Sequence, residues 1–174
     1  MNRNKQKGKY FENTIAQLIR DELGLDKRYV SRAKSSGISE EEFGDIIISP
    51  ALFDKLPFII ECKFGYNFTL DYYLTKTPLK SNPLHKFFDQ VLREYNTFTR
   101  YAERNNIKIQ PIPVLIYSGA YNPIMVSFIV KYTPKNVLKE IQKYNRIVSY
   151  LRFKIVTIGI ADFIAILKKL YGGS

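Results

Sequence analysis

Two short apolar runs with charges set inside them constrain this chain more than any other feature. In residues 43–49, Gly44 and Asp45 precede Ile46, Ile47 and Ile48; in residues 57–63, Phe58, Ile59 and Ile60 precede Glu61, Cys62 and Lys63. β-Branched and aromatic content marks both as strands, apolar enough to be central in a sheet. A central strand that ends in a carboxylate and an ammonium is costly unless the ions are paired or bind a metal.

Side chains alternate along a strand. Glu61 and Lys63 therefore share a face with Ile59, while Cys62 points the other way with Ile60 and Phe58. If the two strands pair, Asp45 sits beside Glu61. Two carboxylates about 4 Å apart repel by roughly 4 kcal/mol at an effective dielectric near 20, and a bound cation removes that repulsion. Oxygen donors without His or Cys side chains select a hard ion, Mg²⁺ with Mn²⁺ as a substitute. The main-chain carbonyl of Cys62 is a further candidate ligand. Such an ion lowers the pKa of water and neutralises charge on a phosphoryl group. Lys63 would orient or deprotonate the attacking water, or stabilise the developing charge. The competing reading is a plain Lys63–Glu61 ion pair at a strand end, with Asp45 opening a strand after a turn. Gly44, the inward Glu12 described below and the charge of the chain favour the metal-binding alternative.

The length, 174 residues, suits one compact domain spanning 1–174. The net charge of +11 exceeds what solubility needs and makes nucleic acid the first candidate partner. With one cysteine, Cys62, and one histidine, His85, internal disulfides and Cys/His zinc sites are excluded, and an intracellular (cytoplasmic) location is expected. The basic N-terminus leads into an amphipathic helix rather than an apolar run, so neither a signal peptide nor a membrane span is expected.

Helical spacing of Phe11, Ile15, Leu18, Ile19 and Leu23 predicts a helix over 8–24, stopped at Gly24, with Glu12 inside the apolar arc. A short strand follows at 28–33, then a polar loop at 34–42, the two charged strands, and a long aromatic connection at 65–84. A second helix spans 85–104. Strands follow at 112–117 and 124–132. Thr133 and Pro134 read as the N-cap and first position of a helix to about 144. A strand at 153–158 and a helix at 161–171 close the chain. The order implies an α/β fold with a central mixed sheet flanked by helices.

These residues resemble a known superfamily. Lys7, Gly8, Phe11 and Glu12, the loop of Arg32, Ala33, Lys34, Ser35, Ser36 and Gly37, and the set Gly44, Asp45, Glu61, Cys62 and Lys63 look like the PD-(D/E)xK nucleases, and within them the archaeal-type Holliday junction resolvases. Tyr73, Leu74 and Gln90 more loosely match the block that follows. The resemblance covers roughly residues 7–117. It implies a restriction-endonuclease-like domain acting as a Mg²⁺-dependent homodimeric endonuclease on branched DNA. Glu12, Asp45 and Glu61 would bind metal, Lys63 would be catalytic, and the loop serine Ser35 would assist. Gly44 stands where the superfamily often has proline. The region after Tyr117 matches nothing residue by residue. A restriction-like or general nuclease, and a basic binding module without activity, remain alternatives.

For DNA contacts, Arg32, Lys34 and Ser36 lie nearest the expected metal site. Lys86, Arg93, Arg100 and Arg104 form a stripe on the second helix that suits either a phosphate backbone or plain solvation. Gln90 would anchor Lys63 or a phosphate, or else stand exposed. Arg3, Lys5, Lys7 and Lys9 suggest a flexible basic arm, with residues 1–7 outside the folded body. Tyr66, Phe68, Tyr72 and Tyr73 suit stacking on bases or packing on a second subunit. His85 reads as a helix-start residue and Cys62 as a core side chain.

Overall fold

The protein's architecture comes from a computed structural model that describes residues 3–34, 42–65, 83–119, 122–150 and 152–172. Its centre is one seven-stranded mixed sheet in the order β1-β2-β3-β4-β5-β7-β6. Those strands are β1 (Val30–Arg32), β2 (Ile46–Ile48), β3 (Phe58–Phe64), β4 (Ile112–Ser118), β5 (Met125–Ile129), β6 (Ile147–Tyr150) and β7 (Lys154–Gly159). β3 and β4 run parallel, with Glu61 opposite Leu115, and the other neighbours pair antiparallel. A parallel pair needs a long crossover. Here the crossover carries helix α2 (Pro83–Arg104). β4 is buried along its whole length, as expected of a strand covered on both faces.

Helix α1 (Arg3–Leu23) and helix α4 (Ile160–Gly172) cover one face. There Phe11, Ile15 and Ile19 from α1 and Phe163 and Ile164 from α4 meet Ile46, Phe58, Ile60 and Cys62. The short helix α3 (Lys135–Ile141) adds Val137 and Ile141 to the same core. Helix α2 covers the other face. Phe88 and Val91 pack on Leu115 and Tyr117, and Phe98 and Ala102 pack on Ile59 and Phe43. Beneath this layer a row of buried hydroxyls crosses three strands: Tyr117 Oη lies 3.2 Å from Ser127 Oγ, which lies 2.6 Å from Thr157 Oγ1. The alternation expected for β3 holds, with Ile59 on the α2 side and Phe58, Ile60 and Cys62 on the α1 side.

Several expectations need correction. α1 begins at Arg3 rather than residue 8, so Lys5, Lys7 and Lys9 ride on a helix. Helices α2 and α3 cover 83–104 and 135–141, against expected spans of 85–104 and 133–144. Thr133 is not the cap of α3: its hydroxyl turns back to donate to the Ile129 carbonyl at 2.9 Å, and Pro134 occupies the cap position without a side-chain bond. The strand expected over 124–132 ends at Ile129 and passes into a 3₁₀ turn, Val130–Tyr132. β6, an edge strand, was not foreseen. Among the described residues no helix is long and apolar enough to cross a membrane.

Candidate active site

The site begins with a backbone constraint. Gly44 has φ +79°, and a Cβ built there would lie 2.5 Å from the Ile60 carbonyl oxygen. Glycine alone lets the chain press this closely on β3 in a left-handed conformation. Proline, with φ fixed near −65°, could not replace it without rearrangement. The close approach places Asp45 just before β2. Its N–H donates to the Ile60 carbonyl at 2.8 Å, and its carbonyl accepts the Ala33 N–H at 2.9 Å. Its Oδ2 accepts the Cys62 N–H at 2.8 Å, so the carboxylate is aimed by the main chain of the neighbouring strand.

Glu61 is 1% exposed and faces α2. Its Oε1 accepts hydrogen bonds from Lys63 Nζ and from Gln90 Nε2, about two turns into α2. Lys63 Nζ also lies 3.9 Å from Asp45 Oδ2 and 5.8 Å from the centre of the Phe87 ring. Burial and the adjacent Asp45 push the Glu61 carboxyl up to about 8, against an ordinary 4.5. Burial alone would lower the Lys63 ammonium, but Glu61 and Asp45 outweigh it and hold its pKa above the usual value. Lys63 is therefore a standing cation at neutral pH.

Glu12 reaches the same place from α1. Burial, then repulsion from Asp45, raises its pKa. Arg32 Nη1 lies 3.4 Å from Glu12 Oε2 and opposes that rise. Glu12, Arg32, Lys34, Gly44, Asp45, Glu61 and Gln90 line one cleft of about 470 Å³.

Sequence reasoning therefore brings together Glu12, Arg32, Lys34, Asp45, Glu61, Lys63 and Gln90. The stripe on α2 lies apart from this cleft. Lys86, Arg93 and Arg100 are exposed and absent from the lining of the cleft. The Cys62 side chain lies on the α1 face, buried, with its thiol pushed well up by burial and the surrounding carboxylates; only its carbonyl could serve as a ligand. Ser35 and Ser36, together with Tyr66, Phe68, Tyr72, Tyr73 and Leu74, fall outside the described residues. His85 is not among the cleft residues.

Lys5 and Lys9, expected on a flexible arm, line the cleft from α1, and two further lining residues escaped the sequence reading, Glu42 and Glu94. Glu94 follows Gln90 by four residues on α2, and that helical phase was the available signal. Glu42 had none, because only the turn at Gly44 brings it to the cleft.

The donor set suits a hard divalent cation. Asp45 and Glu61 present oxygen ligands side by side, and the raised carboxyls of Glu12 and Glu61 mark a place short of positive charge. The buried Glu42 Oε2 has no hydrogen-bond partner among the described residues. Yet no ready-made cage of three or more Asp, Glu, His or Cys side chains occurs among the described residues. Glu12 is turned to Arg32 instead of closing on the pair. A family model described as "Phage putative PDDEXK endonuclease" matches residues 3–169. No curated protein and no solved structure matches the chain.

Proposed function

Because the chain belongs to the phage PDDEXK endonuclease family, we propose that this cleft cuts DNA by hydrolysis, using Mg²⁺ or, in its place, Mn²⁺. The observation that carries the reading is the joint anchoring of Asp45 to the Cys62 N–H and of Glu61 to Lys63 and Gln90, which fixes two carboxylates and an ammonium together at the cleft.

Asp45 and Glu61 would hold the ion, with the Cys62 carbonyl as a further donor and Glu12 reaching it directly or through water. When bound, the ion supplies a more acidic water and neutralises charge on the phosphate. Lys63 keeps its proton at neutral pH, so its part is to orient the attacking water and stabilise the charge that builds on the phosphate. Gln90 holds Glu61 in place from a rigid helix. Arg32 and Lys34 take the phosphates beside the cut, and Ser35 and Ser36 would reach the same phosphates from the loop.

The finer reading is resolution of four-way junctions, supported by the resemblance of Lys7, Gly8, Glu12, Arg32 and Lys34 to the junction-resolvase pattern. A junction presents two equivalent strands, so the active form would be a two-fold homodimer.

The test is cleavage in Mg²⁺ of junction, linear duplex and single-stranded DNA, with Asp45→Asn and Lys63→Ala alongside. Loss of cleavage by about 10²-fold or more with binding retained is expected. Paired symmetric nicks at the junction support resolution, and even digestion of linear duplex rejects it in favour of a general nuclease. A wild-type protein inert in both Mg²⁺ and Mn²⁺ would leave only a basic binding module.

A further inference from the structure

One wall of the cleft is helical. Lys5, Gly8, Lys9 and Glu12 all line it from α1. At about 100° per residue these four positions fall within one arc about 100° wide, whereas Lys7 points to the opposite side. Lys5 and Lys9 stand about 6 Å apart along the axis, and Lys5 stands about 10 Å from Glu12. The wall thus runs from an acidic end, at Glu12 and Asp45, to a cationic end at the start of the helix.

Gly8 sits between those ends. Glycine is the residue a helix interior tolerates worst after proline. A Cβ at this position would meet Glu12 Oε1 at 3.9 Å, an ordinary contact, so nothing in the packing of the helix demands glycine there. A longer side chain would instead project into the cleft beside Glu12. The backbone at Gly8 leaves open the space that joins the two ends.

We infer that this face of α1 is a track for one DNA strand: the strand leaving the reacting phosphate passes over Gly8, and Lys9 and Lys5 neutralise two of its phosphates. The inference rests on the nuclease reading and adds a direction to it. DNA follows α1 toward its N-terminus and does not follow the exposed arginines of α2.

The experiment is equilibrium binding of a labelled duplex in metal-free buffer, across a range of salt concentrations, so that no cleavage enters the result. Each neutralised phosphate contributes about 0.9 to the slope of log K against log salt. Lys5→Ala and Lys9→Ala should each lower that slope by about 0.9, and Lys7→Ala by clearly less. Gly8→Leu should weaken binding at least tenfold while thermal unfolding stays level or moves up. Equal slopes for the three single variants would overturn the track in favour of diffuse attraction, and so would normal binding by a folded Gly8→Leu protein. Either result leaves cleavage by the wild type in Mg²⁺ to decide the nuclease reading separately.

Discussion

Three residues show how little freedom the site has. Gly44 lets the chain lie against Ile60, Asp45 takes its aim from the Cys62 N–H, and Gln90 reaches across from α2 to Glu61. Gly44→Ala should cost about 1–3 kcal/mol through its left-handed backbone and the 2.5 Å approach. Activity should fall further than this, measured at a temperature where circular dichroism shows the fold intact. Gln90→Ala removes a donor to the charged form of Glu61, so the Glu61 pKa should rise and the ascending limb of the pH–rate profile should move to higher pH. An unmoved limb would mean that Gln90 only fills space. Asp45, Glu61 and Lys63 were legible in the sequence because strand alternation fixes their faces and the unusual charges sit within apolar runs. The pairing of Glu12 with Arg32 was not legible, since it depends on where the first helix crosses the sheet.

At the scale of elements, the buried hydroxyl row is the feature that no local pattern announces. Ser127 bonds on both sides, to Tyr117 and to Thr157, and all three are buried. Ser127→Ala leaves two buried hydroxyls each short of a partner and should destabilise by about 1–3 kcal/mol. Thr157→Val breaks only one contact and should cost less, as read from urea midpoints. The long helices were legible because their apolar residues repeat over many turns, and β3 and β4 because their runs are continuous. β6 is four residues long and carries the half-exposed Val148, too short and too mixed for its period to stand out. The cap at Thr133 misled for a different reason. Its hydroxyl found a closer acceptor in the strand behind it, a choice settled by tertiary geometry.

For the molecule as a whole, the site's charge sets a dependence on pH. Glu61 and Glu12 both have folded pKa values above 4.5, the Glu61 value near 8. The folded state thus holds these protons more tightly than the unfolded chain. Stability conferred by them is full below about 4.5 and declines as pH rises toward 8. The metal-free protein should lose thermal stability across that window, and Mg²⁺ should restore more of it at pH 8 than at pH 5, as scanning calorimetry would record. A flat profile in both conditions would show that the two carboxyls titrate normally. The expected α/β sheet was recoverable from the order of elements alone, whereas the strand order depended on the parallel pairing of β3 with β4, which no local signal encodes.

That pairing has a consequence for how the enzyme comes into being. Among the described residues, every one that lines the cleft lies at or before Glu94, yet β3 gains its parallel neighbour only from residues 112–118. A growing polypeptide on the ribosome therefore carries the complete set of chemical groups before it carries the strand that supports them. On the nuclease reading, hydrolytic competence would arrive late in synthesis, and a chain stopped shortly after α2 should emerge unable to cut.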